Sequence, residues 1–143
     1  MTDTMTKAER SARMALVRSR DTGPELTVRR FLHAAGLRYR LHTRIAGACP
    51  DLVFPARRAV LLVHGCMWHR HPDPSCPLTR MPKSRMDFWT AKFDENTARD
   101  RRQQAALEQA GWVVLTIWEC QIPRGLPGLA NQIKTLDPRQ APR

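Results

Sequence analysis

The residues best suited to chemistry lie in one central segment, where polar side chains border short apolar runs. Asp51 opens the run Asp51-Leu-Val-Phe54, and His64 closes the run Ala59–His64. If these runs are neighbouring strands, both side chains emerge near one end of a sheet. A carboxylate beside backbone carbonyls is a usual magnesium site, because this cation keeps most of its waters and binds phosphate oxygens. The pattern favours metal-assisted phosphodiester hydrolysis, although Asp51 taken alone fits a turn or cap role equally well.

Other titratable residues could complete such a site. Histidine changes protonation near neutral pH, so His64 and His69 suit general acid or base catalysis, or phosphate stabilisation as imidazolium, although a lone histidine is more often structural. Glu25 could extend a metal site, but the spacing Thr22-x-x-Glu25 fits a helix capping box equally well. Asp100 lies in a charged run, where it either belongs to a solvated, salt-bridging face or orients a histidine.

A second group of candidate ligands consists of cysteine and histidine. The spacing Cys66-x4-His71-x4-Cys76, followed by Cys120 at the end of a later apolar run, supplies a Cys3His set. That composition is typical of closed tetrahedral zinc sites, although the spacing is not that of a standard zinc finger. A metal here would tie a proline-rich loop to the sheet. The alternative is a set of unconnected buried thiols and a surface histidine.

Spacing alone leaves some of these assignments open. His64, His69 and His71 compete for the fourth zinc position, and His71 is central between the two loop cysteines. Cys49 has no partner at a similar spacing, and we expect it to be a small buried hydrophobe. In a cytoplasmic chain, metal binding is a better expectation for the cysteines than disulfides.

The overall composition indicates a basic, folded protein. The chain has 143 residues and carries 24 Lys and Arg against 13 Asp and Glu, a net charge of +11. We expect one domain over residues 1–143, with a proline-rich tail at 123–143. The charge favours nucleic acid as a partner, whereas the alternative is a merely soluble, arginine-rich protein. With neither a membrane-length apolar run nor a secretory signal in the sequence, a cytoplasmic location is expected.

The elements that must position these residues follow from apolar periodicity. Predicted helices cover residues 1–20, which are basic and exposed, and residues 22–36 and 84–109, which open on Thr22 and Ser84 caps. Predicted strands cover residues 37–43, 51–54 and 59–64 as a meander, and residues 112–119 after a crossover helix. Residues 65–83 are predicted to be a loop, and residues 121–143 a short helix with a loose tail. The order predicts an α/β fold in which a mixed sheet is flanked by helices.

Five motifs in order along the chain resemble the very short patch repair endonucleases, the Vsr family. They are Pro50-Asp-Leu-Val-Phe54, Val63-His-Gly-Cys-Met-Trp-His-Arg-His71, Phe88-Trp89, Asn96-x3-Asp-Arg-Arg102 and Gly111-Trp-x5-Trp-Glu-Cys120. The resemblance covers roughly residues 5–122. It implies a restriction-endonuclease-like fold with a structural zinc site. It also implies nicking of the T strand, 5′ of the T, at T·G mismatches left by deamination of 5-methylcytosine.

The resemblance also implies roles for the candidate residues. Asp51 is the principal magnesium ligand, joined by the backbone carbonyl of Val63, and Glu25 contributes through a water molecule on the ion. His69 with Asp100 forms an acid/base pair, and His64 contacts the phosphate where other members of the fold use lysine. Zinc is assigned to four residues: Cys66, His71, Cys76 and Cys120.

Double-stranded DNA is the implied partner, and aromatic wedges enter it beside the mismatch, where unstacking costs less. Trp68 and Trp89 match these wedges. Their alternative is core packing, but Trp68 lies in a polar loop where an indole has little to pack against. Met67 stands where an aromatic wedge is common, so discrimination is expected to be looser. Lys92, Asn96 and Met14 are further predicted DNA contacts.

Two other departures from the family pattern are Val63 in place of a frequent Thr and a longer loop from His71 to Cys76. The first should be harmless if only the Val63 carbonyl binds metal, and the second leaves the zinc geometry open. Competing interpretations are a nicking enzyme for another lesion or sequence, and a non-catalytic zinc-stabilised DNA-binding module. A monomer located at the nucleoid is expected, with other repair proteins as further partners.

Overall fold

A computed structural model describes residues 22–79, 81 and 83–136. The helix predicted over residues 1–20, including Met14, lies outside these residues, as does the end of the predicted C-terminal tail. None of the described helices is both long enough and apolar enough to cross a membrane.

The first helix, α1 (Gly23–Ala34), confirms the prediction for residues 22–36. The Thr22 hydroxyl accepts a hydrogen bond from the Glu25 N–H at 3.5 Å, and a proline lies in the first turn. The helix gives way to Gly36, whose φ of +92° is a left-handed conformation that suits glycine. Its inward face buries Glu25, Val28, Arg29 and Leu32. Two of these four residues are charged, so α1 contributes charged as well as apolar side chains to the interior.

A three-stranded mixed sheet forms the centre of the structure. Strands β1 (Leu52–Phe54) and β2 (Ala59–His64) are antiparallel and are joined by a 3-10 turn at Pro55–Arg57. Strand β3 (Val113–Trp118) pairs in parallel with β2, giving the order β1-β2-β3. The predicted hairpin and the parallel crossover strand are therefore both confirmed.

The strand predicted over residues 37–43 is wrong. A single antiparallel bridge joins Arg40 to Val53, and no strand forms around it. His42 has a φ of 53°, which turns the backbone out of the extended conformation needed for further ladder bonds. The alternation of apolar residues in this segment instead reflects packing against the core. Leu37 is buried, and Tyr39 and Leu41 pack against the core. The predicted three-strand meander is thus a two-strand hairpin with one added bridge.

The loop predicted over residues 65–83 contains a one-turn helix, α2 (Cys66–His69). This turn follows directly from β2 through Gly65, and the His69 N–H donates to the Gly65 carbonyl at 3.1 Å. A single helical turn is too short to show periodicity in the sequence. The loop prediction is therefore wrong for these four residues.

The long crossover helix, α3 (Met86–Gln109), begins two residues later than predicted. Ser84 is not its cap, because Arg85 occupies the N-cap position with a left-handed φ of 56° and no side-chain hydrogen bond caps the helix. The last helix, α4 (Leu126–Lys134), confirms the short C-terminal helix.

The helices cover both faces of the sheet. On one face, residues from α1 and α4 pack with Leu52, Phe54 and Leu61 in the larger core. On the other face, Val53 and Val60 pack with Leu107 of α3. Alternate residues of each strand thus enter opposite cores, as expected for a sheet buried on both sides. This confirms the predicted α/β class.

Candidate active site and metal centre

The start of β1 and the end of β2 meet at one end of the sheet, as predicted for Asp51 and His64. Leu52 pairs with Leu61, which brings Asp51 alongside the end of β2. The Val63 N–H donates to Asp51 Oδ2 at 2.7 Å. Because the N–H and C=O of one residue in an extended strand point to the same side, the Val63 carbonyl also faces Asp51. A carboxylate and a backbone carbonyl thus converge here, an oxygen pair of the kind that magnesium binds.

Burial is the main influence on the Asp51 carboxyl. It raises the pKa of Asp51 from 3.8 to about 6, and the nearby Glu25 carboxylate adds to the rise. The Val63 N–H, His69 and Arg29 act in the opposite direction on this pKa. A bound cation would relieve the cost of an ionised, buried carboxylate, so the electrostatics fit a metal ligand.

Glu25 donates its backbone N–H to the Thr22 cap, and its side chain is buried. It is only 3% exposed, and its carboxylate forms an ion pair with Arg29 at 3.1 Å. The Thr22 half of the predicted capping box is thus present, and the metal role of Glu25 stays a prediction. Arg29, four residues further along α1, was not singled out by sequence reasoning, although the i,i+4 spacing of opposite charges could have suggested the pair.

The raised pKa of Asp51 predicts a specific dependence of stability on pH. Asp51 ionises near pH 3.8 when unfolded and near pH 6 when folded. Its contribution to the free energy of unfolding is therefore complete below pH 3.8 and is lost as the pH rises through about 6. The two pKa values correspond to about 3 kcal/mol. We expect Asp51→Asn, which does not titrate, to gain stability relative to wild type across this range.

Urea unfolding without added magnesium, measured from pH 4 to pH 7.5, tests this expectation. The exposed residue Glu108 provides the control, since Glu108→Gln removes an acid far from the site. If wild type and Asp51→Asn change stability in parallel over the whole range, the Asp51 carboxyl does not titrate as described.

Two histidines and an aspartate form a second polar group at the same end of the sheet. The rings of His64 and His69 stack at 4.0 Å with an interplanar angle of 7°. His69 Nδ1 lies 2.6 Å from Asp100 Oδ2, so the long helix does bring Asp100 to a histidine. The ligand atoms of these three residues all lie within 4.8 Å of one another. Among the two roles considered for Asp100, the structure supports histidine orientation.

His64 is buried, and its Nδ1 has no hydrogen-bond partner within the described part of the chain. Burial lowers the pKa of His64 to about 4, and His69 adds to this effect, while Asp100 opposes it. The ring is therefore neutral at pH 7 in the free protein. The phosphate contact of His64 stays a prediction, and the ring that would make it is uncharged in the free protein.

The cysteines and the histidine predicted as zinc ligands come together as one cluster. The ligand atoms of Cys66, His71, Cys76 and Cys120 all lie within 4.8 Å of one another. His71 Nδ1 is 3.3 Å from the Cys120 Sγ and 3.9 Å from the Cys66 Sγ. His71 is thus the histidine of this cluster, a choice that spacing could not make. The donor set can hold a zinc ion.

The longer loop between His71 and Cys76 closes back on the cluster through a tight turn. The Ser75 N–H and hydroxyl both donate to Asp73 Oδ1, at 2.9 Å and 2.7 Å. The Cys76 N–H donates to the Asp73 carbonyl at 3.1 Å. This side-chain-stabilised turn takes up the extra length. The departure from the family pattern therefore leaves Cys76 within reach of the other ligands.

The thiols of the cluster have divergent acidities. Burial raises the pKa of Cys66 to about 12. The Thr79 hydroxyl, followed by His71, lowers the pKa of Cys76 to about 6. Burial also raises the pKa of Cys120. Burial disfavours the ionised form of Cys66. A divalent cation stabilises thiolates, so a bound metal would offset this cost for Cys66 in particular. Cys49, in contrast, is exposed; the expectation of a buried Cys49 is wrong, because its neighbours Ala48 and Pro50 take the inward positions.

An aromatic cluster lies beside the one-turn helix that carries His69. Trp68 of α2 packs against Trp89 at 5.8 Å and Phe93 at 6.3 Å, both from α3. The expectation that Trp68 has little to pack against is therefore wrong, since α3 supplies a surface that the loop itself lacks. Trp68 and Met67 are nevertheless only half-buried, and Phe88 at the edge of the cluster is 49% exposed.

The other predicted DNA contacts differ in accessibility. Lys92 is exposed on α3, one turn from both Trp89 and Asn96. Asn96 is 7% exposed, and its amide is already bonded: Nδ2 donates to the Trp68 carbonyl at 3.3 Å, and Oδ1 accepts from Arg99 at 3.2 Å. In this structure Asn96 thus holds the Trp68 backbone, and a DNA contact would require these bonds to be exchanged.

The arrangement resembles a solved nuclease fold. The catalytic domain of the homing endonuclease I-Bth0305I matches with a TM-score of 0.52 at 20% identity, over 80% of this chain and 92% of that domain. The mixed sheet flanked by helices thus has the restriction-endonuclease-like fold.

Sequence comparisons narrow this class to one family. The sequence model of the family described as DNA mismatch endonuclease Vsr matches residues 2–75. The type II nicking enzyme V.XorIIP of Xanthomonas oryzae pv. oryzae is 47% identical over 122 residues, which are 85% of this chain and 88% of the relative. The DNA mismatch endonuclease Vsr of Escherichia coli is 37% identical over 135 residues, 94% of this chain and 84% of the relative. The chain belongs to the Vsr family of DNA mismatch endonucleases and is a DNA endonuclease.

Proposed function

We propose that this protein is a magnesium-dependent endonuclease that nicks the strand 5′ of the T in a T·G mismatch and thereby initiates very short patch repair of deaminated 5-methylcytosine. The single observation that carries the proposal is the convergence of two groups at one end of the sheet. Asp51 faces the Val63 backbone at 2.7 Å, and His69 pairs with Asp100 at 2.6 Å. Family membership supplies the substrate class, since a relative in Escherichia coli carries the same description, DNA mismatch endonuclease.

Asp51 and the Val63 carbonyl are the proposed magnesium ligands, with Glu25 acting through water. A magnesium ion held there supplies water activation and neutralises charge on the leaving oxygen. Glu25 is well placed for the outer role, because its carboxylate is buried near Asp51 and is held by Arg29. Val63 in place of a threonine is consistent with this arrangement, since the proposed ligand is the Val63 backbone carbonyl and Val63 is part of the larger core.

His69 and Asp100 are the proposed acid/base pair. A carboxylate at Nδ1 fixes the histidine tautomer and leaves Nε2 to exchange a proton with a reacting oxygen. His64, stacked against His69, is the proposed phosphate contact. Because the His64 ring is neutral, its attraction to the phosphate in the ground state is limited to a hydrogen bond.

Asp100→Asn is expected to lower kcat for nicking by about 100-fold, because the histidine loses its orienting carboxylate, and acid/base catalysis contributes roughly 10²- to 10⁴-fold. Single-turnover nicking with saturating DNA measures this effect. Asp94→Asn on the same helix is a matched control, since Asp94 is exposed and should retain the wild-type rate. Equal rates for Asp100→Asn and wild type would show that Asp100 does not orient a catalytic histidine.

The half-buried aromatic cluster is the proposed DNA wedge. Trp68 and Trp89 would enter the duplex beside the mismatch, with Met67 in the neighbouring wedge position, and Lys92 and Asn96 would contact the DNA from α3. Met14 is proposed to act from the N-terminal segment. The mismatched step favours this insertion because it is cheaper to unstack than a paired step.

The Cys66, His71, Cys76 and Cys120 cluster is proposed to hold a structural zinc ion. Its closed Cys3His composition offers no open position for a substrate, which suits a stabilising metal better than a catalytic one. We further propose that the chain forms one domain, acts as a monomer at the nucleoid in the cytoplasm, and works with other repair proteins. One active site is sufficient to nick one strand.

A second candidate function is nicking of another lesion or sequence by the same site. The names of several relatives favour it, since V.XorIIP and V.NmeAIP of Neisseria meningitidis, which is 38% identical over 85% of each chain, are described as type II nicking enzymes rather than as mismatch endonucleases. Met67 in a wedge position also fits a looser discrimination.

Rate measurements on matched duplexes distinguish these functions. Duplexes of one sequence with a T·G, another mismatch or a fully paired step are incubated with the protein, with or without magnesium. The proposal predicts nicking of the T·G duplex alone, and only with magnesium. Comparable nicking of all duplexes would favour the second function, and binding without nicking would favour a non-catalytic zinc-stabilised DNA-binding module.

A further inference from the structure

Trp118 lies between the Cys/His cluster and the active-site histidines. Its ring stacks on His71 at 4.5 Å with an interplanar angle of 19°. The same ring meets His64 at 5.0 Å in an edge-to-face contact of 72°. His64 in turn stacks on His69, which pairs with Asp100. An unbroken series of ring contacts thus connects a candidate zinc ligand to the candidate acid/base pair.

The sheet register fixes both ends of this series. His64 of β2 pairs with Trp118 of β3, and a cluster cysteine follows each of them by two residues, Cys66 and Cys120. The Cys120 N–H donates to the Cys66 Sγ at 3.4 Å. A metal bound by both cysteines would therefore tie together the ends of two adjacent parallel strands immediately beyond the His64 and Trp118 pair.

His64 depends on ring packing for its orientation. A catalytic imidazole is commonly oriented by a hydrogen bond to one of its nitrogens. The buried Nδ1 of His64 has no such partner among the described residues. The ring is instead held from two directions, face to face by His69 and at an angle by Trp118. Removal of the indole would leave one side of the His64 ring unsupported.

We propose that Trp118 is a positioning residue, which holds the His64 ring and transmits the geometry of the metal cluster to the active site. The proposal rests on the proposed function for the importance of His64 but not for the contact itself. Trp118 would therefore affect the rate of nicking without touching DNA. An error of about 1 Å in the position of a catalytic group can cost roughly 100-fold in rate.

The test compares the zinc-loaded Trp118→Leu and Trp118→Phe proteins. Trp112→Leu is the matched control. Trp112 is half-buried beside the start of β3, at the end away from Trp118, and it packs against the smaller core on the α3 side of the sheet. For each protein, zinc content, kcat and KM for nicking, and the NOE between the ring protons of His64 and His69, which stack at 4.0 Å, are measured. This NOE reports the position of the His64 ring and not the presence of the indole, and it does not depend on activity, so it tests the positioning role even if the T·G activity fails.

We expect Trp118→Leu to keep one zinc ion and an unchanged KM, to lose roughly 10- to 100-fold in kcat, and to lose most of the NOE between the His64 and His69 rings. Trp118→Phe should stay within about threefold of the wild-type kcat, because a phenyl ring retains an aromatic face. The proposal is overturned if Trp118→Leu keeps the wild-type NOE between the His64 and His69 rings, or if Trp112→Leu loses as much kcat. If Trp118→Leu fails to fold or to bind zinc, Trp118→Phe decides: kcat restored close to wild type supports the positioning role, and a larger loss with zinc bound overturns it.

Discussion

Asp51→Asn is expected to lower kcat for nicking by at least about 10³-fold, which corresponds to roughly 4 kcal/mol of transition-state stabilisation. An amide keeps the shape of the side chain and can still accept the hydrogen bond from the Val63 N–H. It lacks the negative charge that holds a hard cation. The expected loss is therefore one of metal binding and chemistry, not of local structure.

Measurements of stability distinguish a loss of metal binding in Asp51→Asn from unfolding of the variant. The raised pKa of the Asp51 carboxyl means that the wild-type protein carries a buried charge at pH 7.5. Asp51→Asn removes that charge and should be the more stable protein in the absence of magnesium. DNA binding should persist, since the basic surface is unchanged. Measurements of kcat, of DNA affinity and of urea unfolding, with Glu108→Gln as the control, would together test the assignment. Retention of nicking within about tenfold would show that another residue holds the catalytic metal.

Loss of the Cys/His cluster is expected to have the second large effect. Cys66→Ser should abolish zinc binding and lower the melting temperature by about 10 °C or more, because each kcal/mol shifts a domain of this size by about 2–4 °C and zinc binding contributes several kcal/mol. Cys66 is fully buried, and its cluster joins the loop after β2 to the end of β3. Without the metal, the one-turn helix that carries Trp68 and His69 loses its anchor.

Cys49→Ser is the matched control for this prediction, since Cys49 is exposed and lies outside the cluster. It should retain one zinc ion and the wild-type melting temperature. Zinc content and thermal unfolding measure both variants. The assignment of Cys66 as a ligand in a stabilising site would be contradicted if Cys66→Ser still binds one zinc ion. It would also be contradicted if Cys66→Ser has the wild-type melting temperature.

Much of the framework was accessible from the sequence because periodicity reports which face of an element is buried. The patterns predicted α1, the β1–β2 hairpin and the long crossover helix followed by β3. They failed for residues 37–43, where the alternation of Leu37, Tyr39 and Leu41 reflects packing onto the core while the left-handed turn at His42 prevents a ladder. Alternation is evidence of burial, and hydrogen bonding between strands does not follow from it.

The residues of the candidate site that border strands could be predicted from the sequence. Contacts between side chains of different helices and strands were harder to predict. Asp51 and His64 could be placed together because they border adjacent runs. Spacing alone left His64, His69 and His71 open for the metal cluster; the family resemblance favoured His71, and the structure places His71 with the three cysteines. The position of Trp118 between two sites, and the bonding of the Asn96 amide to the Trp68 carbonyl, involve residues far apart in the chain. No local pattern encodes such contacts.

The position of the cut tests the central claim most directly. A duplex with one T·G mismatch, labelled in turn at the end of each strand, is incubated with the zinc-loaded protein and magnesium, and the products are resolved at single-nucleotide resolution. The proposed function predicts one nick, in the T strand and immediately 5′ of the T, with the G strand intact. Cuts in both strands, or at positions that do not move when the mismatch is moved, would contradict it.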